Sequence, residues 1–456
     1  MACFPPLSVV YDPKPTPHHS LQAGQWVKLI CGASYHDMPT IRRLAMLYAL
    51  AGVDCVDVAA DMAVVAAVRQ GLADAQALAQ RWARNESLTS THDLKTPSIQ
   101  HYLSPDLPWL MVSLNDSEDP HFRKAYFEPS LCPPDCHRPC ETLCPTQAIQ
   151  FADSSTTHSE SPDPSGVIPN LCYGCGRCMA VCPVQNIVAE SHQARLEDFP
   201  AADLGLIDAV EIHTQAGRQR EFAALWQRLE PWRRYLKLVS ISCPDDPHIE
   251  AYLQDLYTIM APLEIPLIWQ TDGRPMSGDL GKGTTHATIR LAQKVLAANL
   301  PGYVQLAGGT NGYTAAKLRE LGLVGAGGST RSNDSIQLPT NSALITSNHP
   351  HRRIAGIAYG SYARTLVMPI LEKLEPILLG LLESKKVEIA SPLGKTSHPE
   401  DVLDKTDGLG QSPKSESIST IDSTDDLKVA INQARQLVGA LKTGGETNAS
   451  GDVKTP

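Results

Sequence analysis

Residues 132–145 read CPPDCHRPCETLCP, and residues 172–183 read CYGCGRCMAVCP. The second run has the spacing C-x2-C-x2-C-x3-C-P, which is typical of bacterial ferredoxins whose thiolates bind an iron–sulfur cluster. The first run repeats this pattern, but its two inner gaps are each one residue longer. Together the two runs predict a ferredoxin-like module that binds two clusters.

The spacing also predicts which thiolates share a cluster. In two-cluster ferredoxins the fourth cysteine of each run binds the other cluster, and the rigid proline behind it directs the chain that way. The first predicted ligand set is Cys132, Cys136, Cys140 and Cys182. The second predicted set is Cys172, Cys175, Cys178 and Cys144. We expect two [4Fe–4S] clusters, although the looser first run also fits a [3Fe–4S] or labile cluster.

Zinc binding and disulfide bonds are the alternative explanations for so many cysteines. Structural zinc usually takes two well-separated Cys pairs, which four-Cys runs with a trailing proline fit poorly. Disulfides need an oxidising compartment, and the N-terminus MACFPPLSVV lacks the basic and apolar regions of a signal peptide. Iron–sulfur ligation is therefore favoured.

Composition and charge limit the cellular location and the classes of binding partner that the protein can have. The chain has 456 residues, a net charge of −10 and 42% hydrophobic residues. It lacks an uninterrupted apolar stretch of about 18 residues, so no membrane span is predicted. The acidic balance argues against nucleic acid as a partner, because binding phosphates needs a basic surface. We expect a cytoplasmic protein.

Eight short apolar runs alternate with helical patterns outside the cysteine region. They cover residues 27–31, 55–58, 109–114, 209–213, 236–242, 266–270, 303–307 and 354–359. Runs that are apolar on both faces suit a parallel sheet covered by helices. Eight such units favour an α/β fold with a (β/α)8 barrel, although a doubly wound open sheet gives the same alternation.

The cysteine runs follow the third predicted strand, so the module would lie in a βα loop at the carboxyl end of the barrel. The predicted organisation is a flexible arm (1–20), the barrel in two parts (21–118 and 191–383), the ferredoxin-like insertion (119–190) and a tail (384–456). The composition of the tail predicts disorder. Its exception is a helix over residues 425–442, whose apolar stripe fits either a docking helix or a packed terminal helix.

Two glycine-rich regions could bind an anionic ligand. Gly308, Gly309, Gly360 and Ser361 follow the last two strands, where many barrels bind phosphate through backbone N–H groups. Arg274 and Lys282 lie in a loop after the sixth strand and could close over an anion. Tight turns and an ordinary solvated loop explain the same residues equally well.

No catalytic residue is assigned. His213, Cys243, Asp272 and His286 would lie near the same rim of the barrel, but their spacing shows no pair of base and nucleophile. Electron transfer or redox sensing is therefore favoured over an enzymatic activity.

The chain resembles the cyanobacterial light-dependent-period (LdpA) family. The resemblance rests on both cysteine runs and on three flanking blocks, at residues 27–61, 269–292 and 307–318. It implies an iron–sulfur protein that reports the redox state set by photosynthetic electron flow to the circadian clock. It also implies association with clock components such as the Kai proteins and their input kinase.

Three functions follow from these observations. The favoured one is an iron–sulfur redox sensor that conveys the light-dependent redox state to the clock and modulates its period, with a redox partner or the quinone or ferredoxin pool as its electron source. The alternative is an iron–sulfur barrel oxidoreductase, with flavin in one version, that acts on a small anionic ligand. A plain electron carrier is disfavoured, because it would need only the insertion.

Overall fold

Eight parallel strands form a closed barrel, which confirms the (β/α)8 prediction over the open sheet. The computed structural model describes residues 16–31, 38–86, 107–118, 122–151, 166–169, 171–172, 174–193, 205–273, 283–324, 353–383 and 420–442. In order around the barrel, the strands are β1 (Trp26–Ile30), β2 (Cys55–Ala59), β3 (Trp109–Asn115), β8 (Ala209–His213), β9 (Leu238–Pro244), β10 (Leu267–Asp272), β11 (Tyr303–Ala307) and β12 (Ile354–Tyr359). Strands β4 to β7 belong to the inserted module.

Amphipathic helices cover the outside of the barrel. They are α2 (Met38–Ala51), α3 (Met62–Glu86), α6 (Gln219–Arg228), α7 (Glu230–Arg233), α8 (Ile249–Met260), α9 (Thr285–Ala297), α10 (Thr314–Glu320) and α11 (Ser361–Glu383). Each strand presents alternate residues outward, so that Val27 and Leu29 of β1 join the same buried cluster as Ile41 and Leu44 of α2. This layer between strands and helices is the main hydrophobic core.

The amino end of the barrel is closed by a short helix, α1 (Pro17–Gln22). Its Leu21 is fully buried in a cluster with the inward-facing Trp26, Cys55 and Met111. The Thr16 side chain accepts a hydrogen bond from the His19 N–H and so caps this helix. The predicted boundary of a flexible arm at residue 20 therefore falls inside a packed helix, because Leu21 fills the open end of the barrel.

The predicted terminal helix is present and packs on the barrel. Helix α12 (Thr420–Lys442) contacts α2 and α11. Its buried stripe consists of Leu427, Ala430, Ile431, Ala434, Leu437, Val438 and Leu441. Lys442 also forms an ion pair with the buried Asp54 at 2.7 Å. Of the two interpretations, the packed terminal helix is the one observed; residues 384–419 and 443–456, where disorder is predicted, lie outside the described residues.

The cysteine-rich module follows β3 directly and occupies the predicted βα loop. Strand β4 (Arg123–Tyr126) pairs antiparallel with β7 (Val188–Ser191), and β5 (Ile149–Gln150) pairs with β6 (Gly166–Val167). Between them lie a 3-10 turn (Pro129–Leu131) and helices α4 (Pro139–Leu143) and α5 (Arg177–Val181). Within the described parts of the chain, no helix has the length and apolar character needed to cross a membrane.

Candidate functional site

The two halves of the module repeat the same local structure. Helices α4 and α5 both carry a buried cysteine at their second position, Cys140 and Cys178. Each helix follows a residue in the left-handed region, Arg138 (φ 51°) or Gly176 (φ 76°). Each helix also precedes a Cys-Pro-x-Gln sequence whose glutamine has φ 54°. The sequence analysis missed this last element of the repeat, which is visible in CPTQAI and CPVQNI.

Cys132, Cys140 and Cys182 come together on one side of the module. Burial raises the pKa of the Cys140 thiol, and the neighbouring Cys182 and Cys132 thiols add to this rise. The Asn186 amide lies 3.6 Å from the Cys132 sulfur. For Cys182 burial acts to raise the pKa, but hydrogen bonds from four following backbone N–H groups outweigh it and lower the pKa. The fourth predicted ligand, Cys136, lies on the turn before α4 and is half-buried.

The second set of cysteines lines one cavity. Cys144, Cys172, Cys175 and Cys178 surround about 340 Å³ of space that is partly open to solvent. Backbone N–H groups point at the sulfurs, from Ala148 to Cys144 at 3.2 Å and from Ala125 to Cys172 at 3.4 Å. Burial, and then the neighbouring Cys172 and Cys175 thiols, raise the pKa of Cys178 to about 12.

These features fit iron–sulfur clusters better than single ions. In each group a thiol from one run, Cys182 or Cys144, joins thiols from the other run. The cavity walls are mostly apolar, and their N–H groups can donate to sulfur, as cluster sites require. Among the described residues, no three His, Cys, Asp or Glu side chains converge on one point that would hold a single metal ion. Thiolates arranged around a cluster are spread more widely than those around one ion.

The two groups have different surroundings. Cys175 packs against the hydrophobic core of the barrel, and Cys172 and Cys178 are buried. Exposed apolar side chains adjoin both groups: Leu131 and Val184 lie beside the first, and Leu143 and Leu171 lie beside the second. What distinguishes the second group is therefore its contact with the barrel through Cys175, since both groups border exposed apolar side chains.

A buried ionic network lies in the middle of the barrel, next to the apolar cluster at its amino end. The Lys28 ammonium contacts Asp57 Oδ2 at 3.0 Å and also the Glu211 carboxylate. Ser113 donates to Asp57 at 2.7 Å, and Ser240 donates to Glu211 at 2.9 Å. All five side chains are buried, and the sequence analysis identified none of them.

The pKa values of the two carboxylates in this network shift in opposite directions. Burial raises the pKa of Asp57, whereas for Glu211 the attraction of Lys28 and His213 outweighs burial and lowers the pKa. His213 lies 3.3 Å from Glu211, at the carboxyl end of β8. Phe122 of the module packs edge-on against the His213 ring at 5.4 Å. The network thus extends from the barrel interior to the base of the module.

The glycines predicted to bind an anion have structural partners. Gly308 and Gly309 have φ values of 65° and 90°, and a Cβ on Gly309 would lie 2.6 Å from the Thr284 carbonyl oxygen. The Thr284 hydroxyl donates to the Gly309 carbonyl at 2.7 Å. Close packing of two loops therefore accounts for Gly309, and phosphate binding there stays a prediction.

The remaining anion candidates lie at the start of α11 and in the loop after β10. Gly360 precedes α11 and Ser361 begins it. Arg364, in the first turn, donates to the Ser361 hydroxyl at 3.0 Å and to the Ile30 carbonyl at 2.8 Å. The sequence analysis did not identify this arginine. Arg274 and Lys282 lie outside the described residues.

Comparison with known proteins agrees with this architecture. The family model described as the LdpA Fe–S cluster-binding domain matches residues 132–193. The model described as the Light dependent period A C-terminal domain matches residues 203–440. The chain is 47% identical over 365 residues to "Light dependent period A" of Synechococcus elongatus, which covers 79% of this chain and 85% of that protein. The chain therefore belongs to the light dependent period A family, and its cysteine-rich insertion contains the iron–sulfur-binding domain of that family.

Proposed function

We propose that this protein is an iron–sulfur redox sensor of the cytoplasm, which conveys the light-dependent redox state to the circadian clock and modulates its period. The observation that carries the proposal is the pair of cysteine groups, each combining thiols from both runs. Cys132, Cys136, Cys140 and Cys182 would bind the first cluster. Cys172, Cys175, Cys178 and Cys144 would bind the second.

The clusters would supply one-electron chemistry, and the protein's own groups would set how readily they react. We infer two [4Fe–4S] clusters, with a [3Fe–4S] cluster as the alternative at the first site because of its wider run. N–H groups of Ala125 and Ala148 would stabilise negative charge on sulfur. The exposed apolar side chains beside the two groups, such as Leu131 and Leu143, would contact a redox partner, the quinone pool or ferredoxin.

A change in cluster charge would reach clock partners through the surface of the module or the rim of the barrel. The Kai proteins and their input kinase are the partners that family membership suggests. The proposal is tested by changing Cys175 and Cys178 to Ser and measuring the period of the rhythm at several light intensities. The period of the variant should no longer respond to light intensity as the wild type does; an unaltered response would refute the sensor function.

Cluster composition needs its own measurement. Anaerobically purified protein should contain iron and acid-labile sulfide in the ratio of two clusters, with electron paramagnetic resonance (EPR) signals of interacting [4Fe–4S] centres after reduction. Zinc in place of iron, or colourless protein, would contradict the assignment of all eight cysteines.

A second candidate function is that of a barrel oxidoreductase, and the ionic network favours it. Lys28, Asp57 and Glu211 are the middle residues of β1, β2 and β8. His213, 3.3 Å from Glu211, extends the network to the carboxyl end of the strands, where barrel enzymes place their catalytic groups. The ligand would be a small anion held by Gly308, Gly309, Gly360 and Ser361, or by Arg274 and Lys282, with flavin as the cofactor in one version. The visible spectrum of the protein before and after acid extraction tests for flavin; protein that neither contains nor takes up flavin would exclude that version.

A further inference from the structure

Lys124 connects the second cysteine group to the barrel. It lies in β4, and its ammonium contacts the Asp61 carboxylate at 3.2 Å and the Pro169 carbonyl at 2.5 Å. The side chains of Lys124 and Asp61 are only 15% and 5% exposed. The next residue, Ala125, donates its N–H to the Cys172 sulfur. One short segment of β4 therefore contacts both the barrel and a predicted cluster ligand.

Asp61 belongs to the barrel and caps the amino terminus of helix α3. Its Oδ1 accepts hydrogen bonds from the Ala63 and Val64 N–H groups at 3.0 and 3.5 Å, in the first turn of α3. Its Oδ2 faces Lys124. The same carboxylate thus caps the helix with one oxygen and pairs with the module through the other.

A cation close to a cluster favours the reduced form, because reduction adds a negative charge. Solvent screens this attraction little when the cation is buried. The positive charge of Lys124 acts on Cys172, while the carboxylate of Asp61 offsets part of that charge. Arg177 also lines the second cavity. Within the described part of the module no lysine lies at the first group, where the Asn186 side chain contacts Cys132.

We propose that Lys124 raises the reduction potential of the second cluster and couples the charge of that cluster to helix α3 of the barrel through Asp61. This inference rests on the proposed cluster-binding function and adds to it which cluster communicates with the barrel and by which residue. Because such coupling is reciprocal, reduction of the cluster should strengthen its attraction for Lys124 and alter the pairing of Asp61. The first turn of α3 would then report the redox state.

The test uses full-length protein purified without oxygen and titrated electrochemically while the EPR signals are recorded. A Cys178→Ser variant, which lacks the second cluster, assigns the signals. Lys124→Gln should lower the potential of the second cluster and leave the first unchanged, whereas Lys124→Arg should keep the wild-type value. Asp61→Asn should shift the same potential upward, because it removes the opposing charge. Potential shifts of opposite sign in Lys124→Gln and Asp61→Asn would show an electrostatic role. If either change merely loosened the packing around the cluster, both variants would shift the potential in the same direction.

Two controls match these changes. Arg123→Gln removes a cation from the adjacent position of β4, where the side chain contacts the Ala189 carbonyl at 3.0 Å. Glu190→Gln removes an exposed carboxylate from the residue that pairs with Lys124 across the strands. Neither should shift the second potential as far as its buried counterpart.

Hydrogen exchange supplies the second measurement. The exchange rates of the Ala63 and Val64 amides should differ between oxidised and reduced wild-type protein, but not between the two states of Lys124→Gln. Intact clusters with unchanged potentials in Lys124→Gln and Asp61→Asn would overturn this inference and leave the proposed function standing. Protein without any cluster would overturn both.

Discussion

The barrel and the inserted module differ in what holds them together. The barrel has a continuous apolar layer between strands and helices and a second apolar cluster at its amino end. Among the described residues of the module, the buried cluster consists of Phe127, Cys140, Ile149, Cys178 and Ile187. Two of these residues are predicted cluster ligands. So small a core cannot offset the entropy of ordering its own chain.

This difference indicates that metal binding is part of folding in one region and not in the other. Ligands that converge only in the folded state make the free energy of cluster binding a contribution to stability. The barrel has no such dependence, because its stability comes from burial of apolar surface. Loss of a cluster should therefore unfold part of the module and change the barrel only at the first turn of α3, which would allow oxidation to change a surface without unfolding the protein.

Removal of a cluster ligand should have the largest effect on this contrast. In Cys178→Ser we expect the iron content to fall by about half, because one of two clusters is lost, and the amides of the module to exchange rapidly. Barrel amides outside the first turn of α3 should keep their protection in the same hydrogen-exchange experiment. Cys243→Ser, a change at a buried thiol of β9, is the control and should retain its iron. Equal loss of protection in barrel and module would contradict the contrast.

The barrel should respond most to a change in its ionic network. Lys28→Met leaves Asp57 and Glu211 buried without their cation, which typically costs about 3–5 kcal/mol of unfolding free energy. Denaturation in urea followed by far-UV circular dichroism measures this loss, and the iron content should stay normal in the folded protein. Lys237→Met is the matched control, because Lys237 is 55% exposed in its ion pair with Asp208 and such pairs contribute about 0–1 kcal/mol. A similar small loss for Lys28→Met would show that the network does not hold a buried charge.

A substitution that strains the backbone of the module should have a smaller effect on stability, and that effect should be confined to the module. Gly176 has φ 76°, a region that costs an L residue with a Cβ about 1–2 kcal/mol. Gly176→Ala should therefore lower the urea concentration at which cluster absorbance is lost, with no change in the barrel transition. The prediction fails if the variant releases its clusters at the wild-type concentration.

The equivalent position in the first half should give the smallest change. Arg138 has φ 51°, and its guanidinium lies over the Phe151 ring at 4.3 Å. Arg138→Gly relieves the left-handed backbone but removes a cation–π contact of about 0.5–1 kcal/mol, so the two effects oppose each other. We expect a net change below about 1 kcal/mol in the same urea experiment. A loss as large as that of Gly176→Ala, or larger, would show that the ring contact outweighs the backbone term.

Several parts of the fold could be predicted because their signals are local. The eight apolar runs correspond to the eight barrel strands, and the position of the cysteine runs after the third strand placed the module in its βα loop. The stripe from Leu427 to Leu441 predicted a helix correctly. In each case neighbouring residues carry the whole pattern, so the sequence can be interpreted without knowing the tertiary contacts.

The missed features depend on residues that are far apart in the chain. Lys28 and Glu211 are separated by 183 positions, so nothing near Lys28 in the sequence shows its partner. Lys124 and Asp61 are 63 positions apart, and Lys124 stands in an unremarkable polar stretch. Helix α1 begins inside the predicted arm (residues 1–20), because the cluster that its Leu21 closes comes from strands throughout the barrel.

The family, the alternation of strands and helices and the spacing of the cysteines can be recognised from the sequence alone, because short-range periodicity and gap length are properties of neighbouring residues. The folded structure was needed to show which cysteine group contacts the barrel, where a lysine is buried between carboxylates and which ion pair joins the two regions. Burial and charge pairing depend on how distant segments approach one another. Closure of the barrel, which pairs the first strand with the last, places Lys28 beside Glu211, and the insertion after β3 places Lys124 beside Asp61.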